Sequence, residues 1–113
     1  MIWIPLNTEA QLTEIVSLSH QTPVLIFKHS TRCSISDSAK AKLERHWDSS
    51  EHSSIEKAYC LDLLNFRPIS SKIADIFGVD HQSPQALLIK NGKCVYHNSH
   101  MAILFKDILA QTL

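Results

Sequence analysis

Residues 23–29, PVLIFKH, form an apolar run of strand length broken only near its end. A run of this kind is stable at the buried centre of a sheet, with other structure covering both faces. The rest of the chain must therefore supply neighbouring strands and covering helices, and its patterns do so in alternation. Residues 2–4 read as a short strand closed by Pro5, after which Asn7 or Thr8 can cap a helix reaching about Ser19, with Leu12, Ile15 and Val16 on one face. From Cys33 to Trp47, the residues Ile35, Ala39, Leu43 and Trp47 recur every four positions while Lys40, Lys42, Glu44 and Arg45 take the remaining surface, which predicts an amphipathic helix. A polar loop, DSSEHSS, follows at residues 48–54.

The stretch IEKAYCLDLL, residues 55–64, predicts a second internal strand. Pro68 in a first helical turn opens a segment bearing Ile69, Ile73, Ile76 and Phe77 that stops at Gly78. QALLIKNGKCVYH, residues 85–97, predicts a hairpin, because Asn91-Gly92 is the dipeptide favoured by a two-residue type I′ turn. A last helix is predicted over about Met101 to Thr112. The order is β-α-β-α-β-α-β-β-α, with crossover helices between the first strands and a hairpin between the last two. Crossovers make parallel neighbours and hairpins antiparallel ones, so the fold class is α/β, a mixed central sheet flanked by helices on both faces.

Composition limits the function. At 113 residues the chain is expected to form one domain over residues 1–113. Eleven basic residues balance eleven acidic ones, so no long-range field favours nucleic acid or an anionic membrane as partner. No apolar stretch approaches the roughly 20 residues that span a bilayer, and the first residues lack the pattern of a secretion signal, so a cytoplasmic location is expected. Three cysteines without a CxxC pair fit neither a disulfide framework nor a closed zinc site, and read as free thiols in a reducing compartment. Of the seven histidines, His97 and His100 lie three apart in an expected loop, with no further pair to complete a metal set. Two glycines cannot build a phosphate-cradling loop, and no paired carboxylates or Ser-His-Asp set is recognisable.

What remains is a thiol. Cys33 stands just past the central strand and at the start of a helix, where free backbone N–H groups and the helix dipole stabilise an anion. The residue three positions on is Ser36, and Ser83-Pro84 immediately precedes the fourth strand. Together with TRCSIS at 31–36, RPIS at 67–70, SPQALLIKNGK at 83–93 and a Trp-bearing first strand, these residues resemble the thioredoxin superfamily. Within it they resemble the YtxJ-type monothiol bacilliredoxins, whose motif more often has proline where this chain has Ser34.

The resemblance implies a thioredoxin-like fold, a cis bond before Pro84, and an oxidoreductase that removes bacillithiol from mixed disulfides with proteins. Cys33 is the expected catalytic nucleophile. Arg32, Ser34 and Ser36 are expected to stabilise its thiolate, Ser36 by a hydrogen bond. Ser83 and Pro84 are expected to receive the small thiol, with Arg67 and Lys28 as anchors for its carboxylates. No cofactor is implied; bacillithiol is a co-substrate. The implied partners are bacillithiolated client proteins, a low-molecular-weight thiol and a recycling reductase. A serine cannot form a disulfide, so a mixed disulfide on Cys33 must wait for an external thiol. The alternative reading is a non-catalytic thioredoxin-like binding module or redox sensor whose Cys33 is thiolated or oxidised. Cys60 reads as core packing, and Cys94 lies just past the hairpin turn.

Overall fold

A computed structural model describes residues 2–48, 55 and 57–112. Its elements run β1 (Trp3–Pro5), α1 (Glu9–Leu18), β2 (Val24–His29), α2 (Ser34–Asp48), β3 (Lys57–Asp62), α3 (Arg67–Phe77), β4 (Gln85–Lys90), β5 (Lys93–Ser99), a 3-10 turn (His100–Ala102) and α4 (Phe105–Ala110). The five strands lie in the order β1-β3-β2-β4-β5. As its composition requires, β2 is central, and all six of its residues are buried. It pairs in parallel with β3 and antiparallel with β4, so the sheet is mixed as predicted.

Alternation along the strands divides the core. Val24, Ile26, Leu61, Leu87 and Ile89 face one side, where they pack with Leu12 and Ile15 of α1 and Ile69 and Ile73 of α3. Leu25, Phe27, Ala58, Ala86 and Leu88 face the other, against Leu43 of α2 and Phe105 and Ile108 of α4. Helices thus cover both faces.

The predicted boundaries follow from local chemistry. Thr8 caps α1 in a capping box: its Oγ1 accepts from the Gln11 N–H at 3.3 Å, and Gln11 Oε1 accepts from the Thr8 N–H at 3.1 Å. Gly78 ends α3 in the left-handed region at φ 66°. Asn91 and Gly92 both have positive φ, 54° and 74°, and join strands that pair Lys90 with Lys93, as a type I′ hairpin needs.

Three predictions are corrected or fall outside the described residues. The strand expected over 55–64 is confined to Lys57–Asp62, because the Asn65 and Phe66 N–H groups both turn back to the Asp62 carbonyl. The helix expected over about Met101 to Thr112 is instead a 3-10 turn, an extended pair at Ile103 and Leu104, and the short α4. Ile103 and Phe105 both enter the core, and residues two apart point to opposite sides of a continuous helix, so the extended break lets both be buried. The expected polar loop over 48–54 lies, beyond Asp48, outside the described residues. Among the described residues no helix is long and apolar enough to cross a membrane.

The register gathers several loops at one end of the sheet. His29 lies beside Asp62, Lys28 beside Gln85, and Gln85 beside Ser99. Cys33, the β3–α3 connection, Ser83-Pro84 and the 3-10 turn therefore share that end.

Candidate functional site

Four residues, Ser30 to Cys33, turn the chain from β2 into α2. The Cys33 N–H donates to the Ser30 carbonyl at 3.1 Å, and the Cys33 carbonyl accepts from the Asp37 N–H at 3.1 Å. The second bond is the first of the helix, so Cys33 is the N-cap of α2, next to the unpaired N–H groups of its first turn. Its thiol is free and half-buried. As the N-cap, Cys33 sits at the positive end of the dipole of the 15-residue α2.

Ser36 is placed differently from the expectation. It is wholly buried, its Oγ accepting from the Ser30 N–H at 3.0 Å and lying 2.6 Å from His29 Nδ1. The hydroxyl expected to serve the thiolate is already engaged with the strand end beneath it. On the other side of the imidazole, Nε2 lies 3.5 Å from Asp37 Oδ1. The ring is nearly buried and stacks on Phe27 with centroids 6.0 Å apart. Burial lowers the His29 pKa, and Lys40 adds to this, while Asp37, Asp62 and Glu44 oppose it.

The other expected residues lie at the same end of the sheet. Ser34 is the first residue of α2 and is exposed. Arg32 is exposed and lines a cleft of about 330 Å³ with Thr31, Leu64 and Asn65. Arg67 is exposed at the first position of α3 and lines a cavity of about 80 Å³ with Leu63, Ser70, Ser71 and His81. The Ser83-Pro84 bond is cis, as the resemblance implies. Pro84 is buried, with its carbonyl accepting from the His100 N–H at 3.0 Å. Ser83 Oγ is buried and without a hydrogen-bond partner among the described residues.

Lys28 requires a correction. Strand alternation turns it away from the face of Phe27 and His29, and its side chain is wholly buried. Its ammonium donates to the Ser70 carbonyl at 3.2 Å and meets His81 Nδ1 at 3.3 Å, so it is not presented to a ligand. Burial lowers its pKa to about 8. The His81 pKa is lowered by burial and by the nearby Lys28 and Arg67 charges. The histidine pair is also placed differently: His97 is in β5 rather than a loop, and His100 opens the 3-10 turn. Among the described residues no group of three or more His, Cys, Asp or Glu side chains is arranged to hold a metal ion.

Two residues at this end were not anticipated as participants. His29 was visible only as a strand-end residue, yet it shares a sheet face with Phe27, and that parity already pointed it towards α2. His81 meets Lys28 across 53 positions, and no local pattern announces such a contact. The remaining cysteines lie apart in the core, Cys94 packing with the cluster under α1 and α3 and Cys60 with that under α2 and α4. Burial raises both of their thiol pKa values, which disfavours their thiolates.

Solved structures share this architecture. One, described as a candidate oxidoreductase with a thioredoxin fold, is 27% identical and superposes with a TM-score of 0.79, over 98% of this chain and 93% of its own. A Schistosoma mansoni thioredoxin pre-protein in its reduced form gives a TM-score of 0.75 at 14% identity, over 100% of both chains. Fasciola hepatica thioredoxin gives 0.73 at 16% identity, over 96% of this chain and 98% of its own. These last two likenesses concern the fold. The sequence profile of the family described as Monothiol bacilliredoxin BrxC matches residues 4–108. With that profile matching nearly the whole length, on a thioredoxin fold with a free cysteine at the head of α2, the chain belongs to the monothiol bacilliredoxin BrxC family.

Proposed function

We propose that this thiol-disulfide oxidoreductase removes bacillithiol from mixed disulfides with client proteins in a cycle that uses Cys33 alone. The Cys33 thiolate attacks the bacillithiol sulfur of the mixed disulfide. A new S–S bond joins Cys33 to bacillithiol, the old one breaks, and the client sulfur leaves as a thiolate that takes a proton from solvent. A second thiol, small or carried by a reductase, then attacks the bacillithiol sulfur and returns Cys33 as thiolate. Two electrons enter from the recycling thiols in each cycle, and no cofactor takes part.

The observation that carries this reading is a free, half-buried thiol at the N-cap of α2 with a hydroxyl at the third position after it. The cap favours the thiolate, and the serine leaves the mixed disulfide to an external thiol. Arg67 and Arg32, exposed on either side of the β3–α3 connection, are proposed to receive the bacillithiol carboxylates, since guanidinium forks match them. Ser83 and Pro84 are proposed to line its path. Lys28, being buried, contributes no direct contact.

The test is turnover. With a bacillithiolated protein and excess reductant, each Cys33 is expected to release several equivalents of client, and Cys33→Ser none. Release that stops at one equivalent per Cys33 would instead describe a sensor.

A further inference from the structure

We infer that the cavity at the head of α3 is a carboxylate subsite, in which Arg67, Ser70 and His81 hold an acid group of the small thiol and Lys28, buried beneath Ser70 and His81, acts as a positioning residue. This rests on the proposed function and deepens it by giving the small thiol a built anchor.

Hydrogen-bond donors outnumber acceptors around this cavity. The Lys28 ammonium has three protons and no lone pair. It meets two acceptors, the Ser70 carbonyl at 3.2 Å and His81 Nδ1 at 3.3 Å. The Ser70 hydroxyl lies 3.1 Å from the same Nδ1, whose one lone pair cannot satisfy both donors in full. Lys28 is wholly buried and Ser70 nearly so, and a buried proton without an acceptor is costly. Of the two, Ser70 lines the cavity. An acceptor placed there lets its hydroxyl turn outwards and leaves Nδ1 to the ammonium.

The same contacts fix His81. An ammonium can only donate, so Nδ1 accepts and the ring carries its proton on Nε2, as a donor. Burial and the Lys28 and Arg67 charges lower the His81 pKa, which favours this neutral form.

The charge around the cavity has one sign. Arg67 is exposed on its wall, and the Lys28 ammonium lies beneath it. Neither forms an ion pair among the described residues, where the two recorded join His29 to Asp37 and Lys40 to Glu44. Asp80, the acid next to His81 in the chain, lines a separate cleft with Gln85 and His97. The 11-residue α3 begins without a side-chain cap and adds its positive end.

A volume of about 80 Å³ is room for a few water-sized groups, which suits one carboxylate. Its two oxygens match the guanidinium fork and leave a lone pair for the Nε2–H or the Ser70 hydroxyl. Leu63, on the cavity wall, donates its N–H to the His29 carbonyl at 3.0 Å, so the cavity lies at the sheet end that carries Cys33.

The experiment titrates the reduced protein with S-methyl bacillithiol, whose blocked sulfur cannot exchange, and with its carboxyl methyl esters, following the amide resonances of Ser70, Ser71 and His81. The acid is expected to shift these resonances and the ester to leave them in place at the same concentration. Arg67→Gln, His81→Phe and Lys28→Met are each expected to weaken binding about ten-fold, as loss of one charge-assisted hydrogen bond would. The Arg67 side chain is exposed, so its variant removes no buried contact. For Lys28→Met, weaker binding by a chain that urea unfolding shows to be at least as stable as the parent separates positioning from a merely structural role. Equal binding of acid and ester, parent affinity in Arg67→Gln, or shifts produced by inorganic phosphate and not by S-methyl bacillithiol would overturn the subsite. Client release by a protein that does not distinguish acid from ester would sink the subsite and leave the proposed function standing. Carboxylate-dependent binding without client release would do the reverse.

Discussion

Position 36 decides whether this thiol works alone. The Ser36 side chain is wholly buried at the third place after the N-cap cysteine. A thiol there is within the ordinary reach of Cys33 across one helical turn. Ser36→Cys is expected to lower the trapped mixed disulfide about ten-fold or more, as an internal bridge to Cys33 displaces the small thiol. Intact-mass measurement after oxidation with the small-thiol disulfide checks this; an undiminished adduct would mean that the two side chains do not face each other. The same substitution replaces a good acceptor for the Ser30 N–H with a weak one and is expected to cost about 1 kcal/mol in denaturant unfolding. Cys33 and Ser36 were legible in the sequence only in context, from the strand before them, the helix after them and the Ser83-Pro84 pair further along. The partner of Ser36 was not, since it depends on which way the end of β2 faces.

Helix ends were the most readable elements. Thr8, one of two caps the sequence offered, Pro68 and Gly78 each mark a boundary by chemistry confined to one turn, and each stands at a helix end. Gly78 is the cleanest test, because its φ of 66° lies in the left-handed region while a Cβ there would meet nothing within 4 Å. Gly78→Ala is therefore expected to destabilise through backbone strain alone, by about 1 kcal/mol. A melting temperature that is unchanged or higher would contradict this. The C-terminal segment was misread for the opposite reason. Its apolar residues suit a helix taken locally, and only the cluster under α2 and α4 shows that Ile103 and Phe105 must both point inwards. The hairpin turn was legible from Asn91-Gly92, whereas the register shift between Leu88 and Ile89 has no signature in the residues around it.

Across the molecule, the central place of β2, the mixed sheet and the helices on both faces were legible from one apolar run and the alternation around it, whereas the strand order β1-β3-β2-β4-β5 was not. Lys28 was not, because its burial is decided by α3 and by His81, which follows that helix in the chain. Its pKa, lowered from 10.5 to about 8, gives the fold a pH signature. Below about pH 8 the lysine is charged in both states and the full cost of burying the charge is present. As pH rises from about 8 to 10.5 the folded protein loses the proton first, so this group's contribution to stability rises through that window. Lys28→Met is expected to flatten the rise and to stabilise the protein near pH 7 by on the order of 2 kcal/mol. Urea unfolding at pH 7 and 9.5 checks both, and a variant with the parent's pH profile would contradict the assignment. The function rests on one event at the opposite face of the same strand end. Mix the reduced protein with one equivalent of bacillithiolated client, without reductant, and take the intact mass of each chain. The account predicts bacillithiol on Cys33 and a free thiol on the client; a disulfide between Cys33 and the client itself, or an unchanged Cys33, would contradict it.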